Sequence, residues 1–205
     1  MIRTSRRQVL ALAVSAAVLT LAGAAPASAS DFAATARQFI ERSAAQVRSE
    51  APQVKANGDA RARFARLFAE SFDAEALARA VLGSRWNTLN AGQQQEFRTA
   101  FEAYVAKAYA DRFYTYAGQP MKVVAAEPAA GGNVLVRTRV QMPGSANETP
   151  VDWQVSQSAS GPRISDVVID GVSLTRTQRD EFASVIRANG GDVSKLTALL
   201  DQRSR

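Results

Sequence analysis

The sequence predicts an α+β fold, with a curved antiparallel sheet of about four strands and helices packed over it. Two changes of pattern carry that reading. From Phe32 to Tyr116 apolar residues recur at helical spacing, with only short breaks. From Met121 to Asp170 they alternate at period two between turns rich in Gly and Asn. Helical spacing returns after Gly171.

The elements follow in order. Residues 1–29 read as an export leader. Ser5-Arg6-Arg7-Gln8-Val9-Leu10 is a twin-arginine phrase, followed by an uncharged apolar run to Ala25 and the small-residue site Ala27-Ser28-Ala29. The run is Ala-rich and too weakly apolar for a permanent span. Ala24 stands where a lipidated Cys would be, which excludes a lipoprotein. Residues 30–205 then form one domain, expected to be soluble in a periplasm.

The first helix carries Phe32, Ala36, Phe39, Ile40 and Val47, and is expected to break at Pro52 and Asn57-Gly58. A second helix from about Asp59 places Phe64, Leu67, Phe68 and Phe72 on one side. Asp73 caps a third helix, Ala74 to Leu82, which Gly83 ends. Asn90 and Gln93 form a capping-box variant that opens the longest helix, reaching about Tyr116. That helix has two apolar stripes. One is Phe97, Phe101, Tyr104, Ala108 and Tyr116, and the other is Val105, Tyr109 and Phe113. A helix with two apolar faces must be covered on both or must line something.

The four strands are Met121 to Ala126, Val134 to Met142, Thr149 to Ser156 and Arg163 to Asp170. Short turns join them into an antiparallel meander. A helix from about Thr175 to Ala188 carries Phe182 and Ile186. Gly190-Gly191 ends it, and Asp192 starts a last helix.

Composition narrows the chemistry. There is no Cys and no His. That removes disulfides, thiol nucleophiles, His-based acid–base catalysis and most zinc sites. No cofactor or metal is expected, and a binding protein is favoured over an enzyme. The formal charge is +6, but three of the 25 basic residues lie in the leader, which leaves 22 against 19 acidic ones. The basic groups are interleaved with acidic ones rather than clustered, so no nucleic-acid partner is expected. Transient contact with an anionic membrane surface remains compatible. Asp166 and Asp170, four apart on one strand, are read as facing solvent or anchoring a neighbouring helix or turn rather than as a catalytic pair. Arg137 and Arg139 are read as a solvated face.

A series of residues then forms an ordered pattern. It runs Phe72-Asp73, Ala78-Arg79, Leu82-Gly83, Trp86, Gln93, Phe97 and Ala100-Phe101, then Tyr109, Tyr116, Gly118, Val136 and Thr138. It closes with Asp166-Val167, Gly171-Val172-Ser173-Leu174, Arg179, Phe182 and Gly191. This series resembles the MlaC family, the toluene-tolerance auxiliary proteins, over nearly the whole of residues 30–205. Thr177-Gln178 and Asn90-Ala91-Gly92 depart from the family pattern.

The resemblance implies an NTF2-like cone enclosing a hydrophobic cavity. It implies a periplasmic phospholipid carrier that shuttles lipid between an outer-membrane lipoprotein complex and an inner-membrane ABC transporter complex, maintaining outer-membrane asymmetry. A carrier of another apolar ligand, such as a hopanoid, and an NTF2-like enzyme are the alternatives. Period-two alternation assigns Val136, Val140, Trp153, Val168 and Val172 to the cavity wall from the sheet side. Helical spacing assigns Tyr104, Ala108 and Tyr116 from the long helix, with Phe182 and Ile186 closing one end.

Overall fold

The structure, a computed structural model, describes residues 27–145 and 147–205. The twin-arginine phrase and apolar run of the leader lie outside the described residues. Its Ala27-Ser28-Ala29 end forms the first turn of α1, Ala27–Asn57. The expected break at Pro52 does not occur, and α1 runs through it. Proline removes one helical donor. Here Ala51 and Val54 on either side are almost fully buried against the other helices, and that packing holds the last turns helical.

Next come α2, Ala60–Ser71, and α3, Ala74–Leu82. The Asp73 carboxylate accepts from the Ala76 N–H at 2.9 Å, satisfying one of the free donors at the start of α3. Gly83 ends α3 at φ 58°, where a side chain would be strained. Arg179 lies across Gly83, so close that an added Cβ would meet its guanidinium at 2.8 Å. A 3-10 turn, Gly83–Thr88, leads to α4, Ala91–Tyr116. The capping box forms in both directions, with Asn90 and Gln93 exchanging side-chain bonds at 3.0 Å.

The sheet is a meander in sequence order: β1 Met121–Pro128, β2 Val134–Gln141, β3 Glu148–Ser158, β4 Gly161–Ile169 and β5 Val172–Ser173. The α+β architecture is the one expected, with a fifth strand added. β5 is only two residues long and pairs with β4 through Val168↔Ser173 and Ile169↔Val172. Asp170 (φ 50°) and Gly171 (φ 81°) make the tight turn between them. The chain ends with α5, Leu174–Ala188, and α6, Val193–Ser204.

Two β-bulges bend the sheet. In β1 the register shifts between Val123 and Ala125, so Val124 is extra and exposed. In β4 Val155 faces Ile164 while Gln154 faces Asp166, so Ser165 is extra. A bulge reverses the in–out alternation beyond it and increases local twist.

The apolar interior is divided. One cluster is helical and includes Phe97, Phe101, Phe182, Ile186, Leu196 and Leu200. The other joins Ala33, Ala36 and Ile40 of α1 to Val134, Val136, Val155 and Ile164 of the sheet. The helical layer is pinned to the sheet at Phe72, which bridges Ile164, and the Asp73 N–H donates to the Ile164 carbonyl at 2.9 Å. The opposite sheet face is polar, where Arg137 pairs with Glu127 at 3.2 Å and Asp152 at 3.6 Å.

Candidate functional site

Between the two clusters lies a cavity of about 430 Å³, within the roughly 300–1,000 Å³ range of ligand pockets. Every layer contributes to its wall. α1 supplies Ile40, Ala44 and Val47, and α2 supplies Phe64, Leu67 and Phe68. α4 supplies Phe101, Val105, Tyr109 and Phe113, and the sheet supplies Val140, Val151, Trp153, Ile164, Val167 and Ile169. The wall is overwhelmingly aliphatic and aromatic. Its exposed members are Arg112 and Tyr116, one turn apart near the end of α4, which puts the mouth there.

The polar groups on the wall are mostly satisfied. Thr138, fully buried behind Trp153, donates to the Val151 carbonyl and accepts from the Trp153 indole N–H at 3.2 Å. The indole therefore presents carbon to the cavity while its polar edge is bonded. The Asp166 carboxylate accepts from the Val167 N–H at 2.8 Å, the Thr175 N–H at 3.1 Å and the Ser173 hydroxyl at 2.6 Å. It ties the β5–α5 junction to β4, with its oxygens committed to that tether. Asp170 sits in the turn beyond, so the two carboxylates form no paired site. Gln178, buried on α5, donates to Glu181 at 3.1 Å. Burial, and then Tyr104 and Glu181, raise the pKa of the Tyr109 phenol above its ordinary value.

Of the residues assigned to the wall from sequence, the structure brings together Tyr116, Val140 and Trp153. The others lie elsewhere, each for a physical reason. Val168 points to the outer face, because the bulge at Ser165 reverses the alternation and puts Val167 and Ile169 inward instead. Val172, in the short β5 edge, is 56% exposed. Val136 faces inward, but α1 packs directly on it and leaves no space. Phe182 and Ile186 are filled core, with Phe182 edge-on to both Phe97 and Phe101 at 6.2 and 6.1 Å. Tyr104 lies against Phe182 at 6.1 Å, on the core side of α4. Ala108 is exposed.

The stripe read beside it on α4, Val105, Tyr109 and Phe113, borders the cavity along its whole length, while the first stripe reaches it only at Phe101 and Tyr116. Sequence reasoning also missed α1, whose Ser43, Ala44 and Val47 form a wall. The small residues Ser43 and Ala44 next to Val47 are the signal that would have found them, because small side chains on an inward helix face leave room. Among the described residues no helix is long and apolar enough to cross a membrane.

Comparison with known proteins places this architecture. The toluene tolerance protein ttg2D of Pseudomonas putida is 22% identical over 131 residues, which are 63% of this chain and 60% of that protein's length. A phospholipid-binding protein from Ralstonia solanacearum, solved in complex with a phospholipid, has the same fold. Its TM-score is 0.68 at 24% identity, covering 82% of this chain and 96% of the other. The family profile of the MlaC protein matches residues 37–202, most of the sequence. The chain belongs to the MlaC family.

Proposed function

We propose that this protein is a phospholipid carrier that holds acyl chains in the cavity between helices and sheet. The observation that carries this is the hollow itself. It is walled by Phe, Val, Leu, Ile and Trp carbon, lies between two filled clusters, and opens beside Arg112 and Tyr116. An exposed acyl chain costs about 0.8 kcal/mol per CH₂ in water, so lipid crossing an aqueous gap needs a container of this kind. The fold neighbour from Ralstonia solanacearum was solved with a phospholipid, which supports the same ligand class here. The committed Asp166 carboxylate and the absence of His and Cys speak against acid–base chemistry at the wall.

The reading extends to location and partners. Residues 1–29 direct export and residues 30–205 are the lipid-binding domain, working in the periplasm. Its lipid passes between an outer-membrane lipoprotein complex and an inner-membrane ABC transporter complex, in the service of outer-membrane asymmetry. Replacing Arg6 and Arg7 with Lys should hold the precursor in the cytoplasm, whereas normal maturation would exclude the twin-arginine route.

The ligand is tested by mass spectrometry of an organic extract from protein purified without detergent. Phospholipid with mixed headgroups is expected. A hopanoid or quinone in its place, or no lipid at all, would overturn the phospholipid reading.

A further inference from the structure

The cavity wall carries one cation among its described residues, Arg112, and one carboxylate, Asp166. Their situations are opposite. Asp166 accepts three hydrogen bonds and is held in the β5–α5 junction. Arg112 is exposed at the mouth and makes no ion pair within 4 Å among the described residues, where other arginines such as Arg63, Arg79 and Arg137 do. Glu181, the carboxylate of α5 that acts on the neighbouring Tyr109, accepts from Gln178 instead. Arg112 thus borders the apolar hollow and carries an uncommitted guanidinium at its opening.

We propose that Arg112 is the residue that recognises the phosphate of the bound lipid. This rests on the carrier reading above. A lipid whose chains fill the apolar hollow must leave its phosphate at the mouth, where Arg112 and Tyr116 are the exposed wall residues. A guanidinium presents paired donors that match two phosphate oxygens, and it does so without the full desolvation that a buried pair would require. The contact selects for a phosphodiester over an uncharged glycerolipid with the same chains, and it is indifferent to what lies beyond the phosphate. The wall thereby reads chains by area and the mouth reads one feature of the headgroup.

The test compares the full chain with Arg112→Gln and Arg112→Lys. Delipidated protein is loaded from vesicles of a phosphate-free galactolipid, digalactosyldiacylglycerol, with a trace of either fluorescent phosphatidylglycerol or fluorescent diacylglycerol of the same chains. The wild type should favour phosphatidylglycerol. Arg112→Gln should lose about tenfold in phosphatidylglycerol retention, the size of one hydrogen-bonded charge contact. Its diacylglycerol retention should fall far less, and Arg112→Lys should keep part of the preference. Inorganic phosphate at matched ionic strength should not displace the lipid. Displacement would make Arg112 a site for free phosphate and overturn the headgroup assignment. Equal losses for both lipids would overturn it in favour of stem packing, and unchanged retention of both would overturn it outright. If the wild type takes up neither lipid, the carrier reading fails with it. If the wild type loads and Arg112→Gln matches it, only this inference fails.

Discussion

The two sides of α4 meet very different environments, although they carry the same kinds of residue. On one side Phe97 and Phe101 stack on each other at 5.9 Å and meet Phe182 edge-on, with Ile186, Leu196 and Leu200 completing a filled core that touches the cavity only at Phe101. On the other, Val105, Tyr109 and Phe113 face Val140, Trp153, Val167 and Ile169 of the sheet across the cavity. Hydrophobicity decides that both faces turn inward, but it does not decide whether they are filled. That is decided by what keeps the layers apart. α1 wedges Ala36 and Ile40 against Val136 and Val155 at one end. The Phe72–Ile164 bridge pins α2 and α3, and Asp166 pins the start of α5. Layers held at their margins cannot collapse onto each other in the middle.

The largest difference should appear on the filled side. Phe97→Ala removes a fully buried ring from a close-packed cluster and should lower stability by about 3–5 kcal/mol. Urea unfolding reads this directly, and a loss below about 1 kcal/mol would mean that the helical cluster is not tightly packed.

A sharper contrast lies within β2. Val136 and Val140 point to the same sheet face, yet Val136 is 0% exposed under α1 while Val140 borders the cavity. Val136→Trp should overpack and cost about 1–3 kcal/mol. Val140→Trp should place its ring in the hollow at much smaller cost. Equal losses in the two variants would erase the distinction between wall and core.

The margins are tested by Asp166→Ala. Three donors lose their acceptor, which should cost about 1–3 kcal/mol. Hydrogen exchange should rise first around Ser173 and Thr175. Unchanged protection there would show that Asp166 is not what holds α5 to the sheet.

The smallest expected effect is on the cavity side at high pH. The Tyr109 phenol is raised above its ordinary value, first by burial and then by Tyr104 and Glu181. An unfolded phenol loses its proton near about pH 10, so above that pH the folded state holds more protons than the unfolded one. The stability contributed by neutral Tyr109 is complete below that pH and is lost as pH rises through the higher folded value. Tyr109→Phe should flatten this alkaline decline in a pH series of urea midpoints. An identical decline in the variant would assign it to other groups.

How much of this was legible in the sequence follows from the range of each interaction. The caps Asp73 and Asn90 and the stop at Gly83 are local chemistry, and they fall where the residues indicate. The helices-then-sheet order and α+β class follow from periodicity. Position on the wall depends on more. One extra residue at Ser165 exchanged Val168 for Val167 and Ile169, and nothing in Arg163–Asp170 marks that bulge. α4 shows two apolar stripes, but which one is filled depends on α5 and α6, far along the chain. Phe182 and Ile186 look like cavity lining because a filled and an empty apolar face share one composition. Pro52 was overridden by the burial of Ala51 and Val54, which a local reading does not contain.

If the cavity holds acyl chains, filling the space beyond Val140 must cost lipid rather than stability. The most direct measurement is the phosphorus-to-protein ratio of wild type and Val140→Trp after identical detergent-free purification, alongside their urea midpoints. Wild type should carry about one phospholipid per chain, and Val140→Trp little or none while unfolding within about 1 kcal/mol of wild type. A Val140→Trp protein that carries its full complement of lipid, while losing stability as a packed core would, contradicts it.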